Sequence, residues 1–121
     1  MNAWLAVFIG GGLGSLCRFG ISRWASTWNV SFPIATLCSN LLASAILALG
    51  VGWFASRGFS NDSWPVLFLL VGFCGGFSTF STFSLETLEL FRSGHIWWAI
   101  LNVAVSVGAC LLAIALLYKA Q

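Results

Sequence analysis

The sequence predicts an all-α integral membrane protein of four transmembrane helices, and three observations lead there. First, 60% of the 121 residues are apolar and only 7% are charged, against about 25% charged in an ordinary soluble domain. Eight charged side chains cannot wet the surface of a soluble protein of this length. Second, the apolar residues fall into four stretches of spanning length, about 20 residues each. Third, the connections between those stretches are short, with no room for a domain outside the membrane. A soluble enzyme, a disordered chain and a secreted disulfide scaffold are excluded. Nucleic-acid binding is excluded too, because five Lys and Arg make no basic patch for phosphate.

The spans run over about 3–24, 32–55, 64–91 and 96–118, giving a single four-helix transmembrane domain over 1–121. Pro33 stands where the second helix starts, a position that suits its fixed φ. Trp4, Trp24, Trp28, Trp53, Trp64, Trp97 and Trp98 lie towards span ends, as interfacial anchors do. The apolar start has no basic segment before it, so no cleavable signal sequence is expected. Cys17, Cys38, Cys74 and Cys110 sit among apolar residues with no CxxC spacing, and read as small hydrophobes rather than metal or redox groups.

In the first span Gly10, Gly14 and Arg18 recur every four residues, placing small residues and a cation on one face. The glycines predict close helix packing of the small-xxx-small kind. Arg18 either snorkels to the interface or lines a vestibule that attracts anions. The second span sets Thr36, Asn40 and Ser44 at i, i+4 and i+8, a polar stripe on a greasy helix. Asn40 carries the weight there, since a mid-span carboxamide needs partners and its N–H donors suit an anion.

The third span holds the sharpest signal. Residues 72–86 read Gly-Phe-Cys-Gly-Gly-Phe-Ser-Thr-Phe-Ser-Thr-Phe-Ser-Leu-Glu. Adjacent glycines at mid-membrane predict a helix broken at Gly75-Gly76, and unwound backbone at that depth is tolerated only inside protein or beside a cavity. If the helix resumes beyond them, steps of 100° align Thr79, Thr82 and Glu86 on one face, with Phe80 and Phe83 together on the adjoining one. The fourth span places Asn102 and Ser106 at i, i+4, facing either a neighbouring helix or a pore. His95, in a connection beside two Trp, reads as an interfacial residue.

Positive charge is nearly balanced across the membrane. Arg57 and Lys119 share one side, and Arg18, Arg23 and Arg92 the other. So weak a bias predicts insertion in both orientations, and hence an antiparallel homodimer. The polar positions are rich in hydroxyl and amide donors, whereas cation pathways place acidic side chains at depth. Phenylalanine ring edges also carry positive partial charge. Residue types therefore favour a small anion, and a strongly hydrated one would need donors to replace its water at each step.

At this point the residues resemble a known family. The third-span string is similar to the signature of the Fluc (CrcB-type) fluoride channels. Gly11-Gly12-Leu13-Gly14-Ser15-Leu16-Cys17-Arg18-Phe19 and Thr36-Leu37-Cys38-Ser39-Asn40 are similar to that family's first- and second-helix patterns. The resemblance covers essentially the whole chain. It implies a dual-topology antiparallel homodimer in the cell inner membrane, with two pores that let fluoride leave the cytoplasm passively. By position it implies that Asn40 lines the pore, that Phe80 and Phe83 flank the ion, and that Ser81 and Thr82 belong to the polar track. It implies that backbone carbonyls of Gly75 and Ser78 from each subunit hold a structural sodium ion, that Arg18 stands near the vestibule and that Glu86 ends the motif. Ala35 and Ala43 depart from the glycines common there, and Asn102 stands where Tyr is often found, with Ser106 at the usual Ser.

Two rival readings remain at the sequence level. A small dual-topology multidrug or cation exporter shares the size and charge balance, but needs a membrane-embedded carboxylate in the first span, where this chain has none. A non-transporting assembly subunit leaves the polar third span unexplained.

Overall fold

The computed structural model describes residues 1–119. Four helical segments are long and apolar enough to cross a membrane: Ala3–Trp28, Ile34–Ser56, Trp64–Arg92 and Ile96–Tyr118. Helix α1 (Ala3–Ala25) is capped by Asn2, whose side chain accepts from the Trp4 N–H at 2.8 Å. A 3₁₀ turn over Ser26–Trp28 extends it, and Asn29 closes the turn in the left-handed region at φ 53°. Helix α2 (Ile34–Ser56) follows Pro33. Beyond a short connection, α3 covers residues 64–77. It opens as an α-helical turn at Trp64–Val66, widens to a π-helix over Leu67–Phe73, and tightens again over Cys74–Phe77. Helix α4 (Phe80–Arg92) completes the third span, and α5 (Ile96–Lys119) is the fourth.

The break in the third span lies at Ser78–Thr79 and not at Gly75-Gly76. Helix α3 runs straight through both glycines to Phe77. Ser78 then turns extended (φ −78°, ψ 159°), as does Thr79 (φ −151°, ψ 120°). The reason is that a helical glycine costs only about 1 kcal/mol relative to alanine, whereas Ser and Thr offer the backbone side-chain partners that compete with the helix. Here Ser78 Oγ donates to Cys74 O at 2.9 Å, and Thr79 Oγ1 accepts from the Thr82 N–H at 3.2 Å as the N-cap of α4.

The glycines serve packing instead. Helix α1 lies chiefly on residues 67–77, while α2 lies on α5. A Cβ at Gly14 would lie 2.7 Å from Phe77 N, and one at Gly76 would lie 3.0 Å from Gly11 Cα. Either substitution drives the two backbones apart. This is the close approach that small residues permit where hydrophobic driving force between helices is absent. Gly75 is different: it is exposed, and a Cβ there meets nothing within 4 Å. The outward faces carry large apolar side chains such as Phe8, Leu16, Leu111, Leu112 and Leu116, fit for lipid rather than water.

Candidate functional site

The break gathers the polar residues of all four spans. Asn40 projects from α2 onto Thr79, accepting from its N–H at 2.7 Å and donating Nδ2–H to its carbonyl at 3.2 Å. One carboxamide thus stands in for a strand partner and satisfies both backbone groups of the extended Thr79. Its second Nδ2–H is left for another acceptor. In a continuous helix the Thr79 N–H would bond to Gly75 O, and the Thr82 N–H to Ser78 O. Both donors are engaged elsewhere, by Asn40 and by Thr79 Oγ1. The carbonyls of Gly75 and Ser78 have therefore lost their helical donors, and Gly75 lies on an exposed face. Oxygen ligands of this kind suit a hard cation, so the residues present fit a sodium ion.

Two cavities meet at Thr79. The larger, about 260 Å³, opens to the outside of the protomer and is lined by Asn40, Ser44, Ser78, Thr79, Phe80, Phe83, Ser106, Val107 and Cys110. Phe80 and Phe83 lie in tilted contact with ring centroids 5.8 Å apart. Phe80 is 79% exposed, so a large aromatic face stands uncovered on the cavity side of the protomer. The smaller cavity, about 60 Å³, is lined by Arg18, Ser22, Ala35, Thr36, Ser39, Thr79, Thr82 and Glu86. Glu86 also borders a third cavity of about 390 Å³ at the end of the bundle, which Glu89, Ser93 and His95 share. Thr79 is thus shared by the first two cavities and Glu86 by the last two, a chain of cavities from the aromatic pair to Glu89 and His95.

Side-chain hydrogen bonds order the walls of these cavities. Thr79 Oγ1 donates to Thr82 Oγ1 at 3.1 Å, and Thr36 Oγ1 donates to Glu86 Oε1 at 2.8 Å. Arg18 Nε donates to Gly76 O at 3.1 Å. That bond satisfies a carbonyl in the last turn of α3 and sets a cation against the negative end of the helix. The bend in chain direction at the break therefore has a partner on both sides, from α1 and from α2.

The expected alignment of Thr79, Thr82 and Glu86 on one face is present, since all three line the smaller cavity, while Phe80 and Phe83 line the larger. The second-span stripe divides: Thr36 faces the small cavity, Asn40 and Ser44 the large one. Two residues stand apart. Ser81 is exposed and lines neither cavity; its hydroxyl lies 3.4 Å from Thr79 Oγ1. Asn102 is 1% exposed and donates to Thr87 Oγ1 at 2.9 Å, joining α5 to α4. Its Oδ1 accepts from Ser106 Oγ at 3.2 Å, so Asn102 orients Ser106, which does reach the large cavity. Sequence reasoning passed over Ser39. The signal was its spacing, three residues after Thr36 on the same helical side.

A sequence model of the family described as "CrcB-like protein, Camphor Resistance (CrcB)" matches residues 5–118. Proteins of Salmonella arizonae and Salmonella newport, each named fluoride-specific ion channel FluC, are 44% identical to the chain over 103 residues. That match covers 85% of this chain and 80% of each relative.

Proposed function

The chain belongs to the CrcB-like family, and from that premise we propose that it is a fluoride-selective ion channel through which fluoride leaves the cytoplasm passively. The observation that carries this reading is the break at Ser78–Thr79, which sets a run of hydroxyl and amide donors beside the Phe80–Phe83 pair. A hard anion loses hydration on entering such a passage, and each lost water needs a donor in exchange. The free N–H of Asn40 in the large cavity and the hydroxyl of Thr82 in the small one supply such donors, while the Ser106 and Thr79 hydroxyls, whose protons go to Asn102 Oδ1 and Thr82 Oγ1, border the same cavities. The positive edges of Phe80 and Phe83 face the ion where hydroxyls are sparse. Arg18 raises the potential for anions beside the small cavity.

The working unit in this reading is an antiparallel homodimer in the cell inner membrane, with two pores. Its support is the near balance of Arg and Lys between the two sides, and the exposed surface at both Gly75 and Phe80. A second copy against that face would cover the aromatic pair and convert an open cavity into a closed passage. The Gly75 and Ser78 carbonyls of both subunits would then hold a sodium ion on the two-fold axis. When bound, it supplies positive charge and satisfies carbonyl oxygens at membrane depth, without itself being transported. Efflux of fluoride and of chloride from liposomes holding the purified protein tests the proposal. Fluoride release with chloride retained is the expected outcome; equal release of both, or of neither, would overturn it.

A further inference from the structure

Ser39 is the most buried polar residue of the small cavity, with 0% of its surface exposed, and the route as described gives it no task. A helical serine usually satisfies its hydroxyl on a carbonyl three or four residues back, as Ser84 and Thr87 do on Phe80 and Phe83. Ser39 Oγ makes no hydrogen bond within the protein. Among the described residues the other buried side-chain atom in that position is Glu86 Oε2. Both residues line the same cavity of about 60 Å³, together with Arg18, Thr36, Thr79 and Thr82.

A single occupant within reach of both atoms would satisfy them. The cavity is large enough for a solvent-sized molecule, and a buried polar atom left unmatched costs its full desolvation. Ser39 has a proton to donate, whereas Glu86, when ionised, accepts only. The occupant must therefore accept from one side and donate to the other. A bare halide cannot donate to Glu86. A bare metal cation cannot accept from Ser39, and it would stand beside Arg18. Water does both, and keeps a second O–H to offer.

We infer that this cavity holds a resident water between Ser39 Oγ and Glu86 Oε2, and that this water is the hydration partner that receives fluoride beyond the Phe80–Phe83 passage. The inference rests on the fluoride-channel reading for the ion, but not for the water. Thr79, which borders both cavities, is the point of transfer. The water turns its free O–H to the ion and keeps it one hydrogen bond away from the Glu86 carboxylate. Ser39 is a positioning residue here, acting through the water it holds.

The test joins a structure with a flux. A high-resolution structure prepared without fluoride should show density at about 2.6–3.2 Å from both Ser39 Oγ and Glu86 Oε2, lost in Ser39→Ala. Ser39→Ala should slow fluoride efflux roughly fivefold, in line with one lost hydrogen bond, without a rise in Tm. Ser39→Thr, which keeps the hydroxyl, should retain most of the rate. If the Ser39 hydroxyl is merely unmatched, its removal is stabilising. A higher Tm for Ser39→Ala with wild-type efflux, or no density at the site, would overturn the inference. So would density that forms only when fluoride is added, since the site then binds the ion itself. A wild-type protein that conducts no fluoride refutes the channel reading instead, and the fluoride-free structure still decides whether the water is there.

Discussion

Asn40 and the backbone of Thr79 form a two-bond ring across the helix break, with the Thr79 N–H on Oδ1 at 2.7 Å and Nδ2–H on the Thr79 carbonyl at 3.2 Å. The carboxamide thereby does what a neighbouring β-strand would do. It satisfies both polar groups of an extended residue where water is scarce. Asn40 is consequently a structural clamp as well as a donor, and its variants should report on both roles.

Asn40→Ala leaves the Thr79 N–H and carbonyl unmatched at about 1–3 kcal/mol for each buried group. A lower Tm and fluoride efflux reduced at least about tenfold are expected, since about 1.4 kcal/mol corresponds to a factor of ten. Asn40→Asp keeps an acceptor for Thr79 N–H but sets a carboxylate beside an anion path, and should cut efflux further than Asn40→Ser. Thermal melting and liposome efflux, measured together, separate clamp from donor. Wild-type values for both in Asn40→Ala would refute the clamp.

Phe80→Ile and Phe83→Ile keep apolar bulk and remove the positive ring edge. Aromatic contacts of this kind are worth about 0.5–1.5 kcal/mol, so each variant should slow fluoride efflux by up to about tenfold while eluting as the wild type does on a sizing column. Normal rates in both variants would reduce the pair to packing.

The two neighbouring glycines should behave oppositely. A Cβ at Gly76 runs into the Gly11 backbone, so Gly76→Val should destabilise by about 1–3 kcal/mol, as overpacking does. A Cβ at Gly75 meets nothing in the protomer. Gly75→Val should therefore leave the protomer folded and act only where a second copy approaches, abolishing the dimer. Circular dichroism with sizing chromatography in detergent distinguishes these outcomes. A Gly75→Val protein that remains a dimer would show that this face is not the interface.

Dual insertion is open to direct labelling. With the four native cysteines replaced, a single cysteine at Asn61, in the connection before α3, should react with a membrane-impermeant reagent from both sides of the membrane. Reaction from one side alone would exclude the antiparallel dimer.

Sodium dependence is tested in the same liposomes. Protein purified and assayed with a large organic cation in place of sodium should lose most of its fluoride flux and recover it on sodium addition. Full flux throughout would remove the cation from the account of Gly75 and Ser78.

Membrane class, helix count and the polar faces of the individual helices follow from the sequence itself, because each rests on composition or on a helical period. Burial in lipid demands apolar stretches, and 100° steps place Thr82 and Glu86 together along α4 whatever lies around them. The break site did not follow, since glycine pairs and Ser-Thr pairs both weaken a helix locally. What decides between them is a partner supplied from elsewhere: Asn40 reaches Thr79 from α2, whereas α1 packs on Gly76 and holds that turn helical. The same holds for Asn102, whose spacing suits a pore equally well until Thr87 meets it across α4, and for Ser39, whose importance exists only once Glu86 Oε2 is brought to the same cavity. Periodicity along one helix is a local property, but the partner of a buried polar group is chosen by packing between helices.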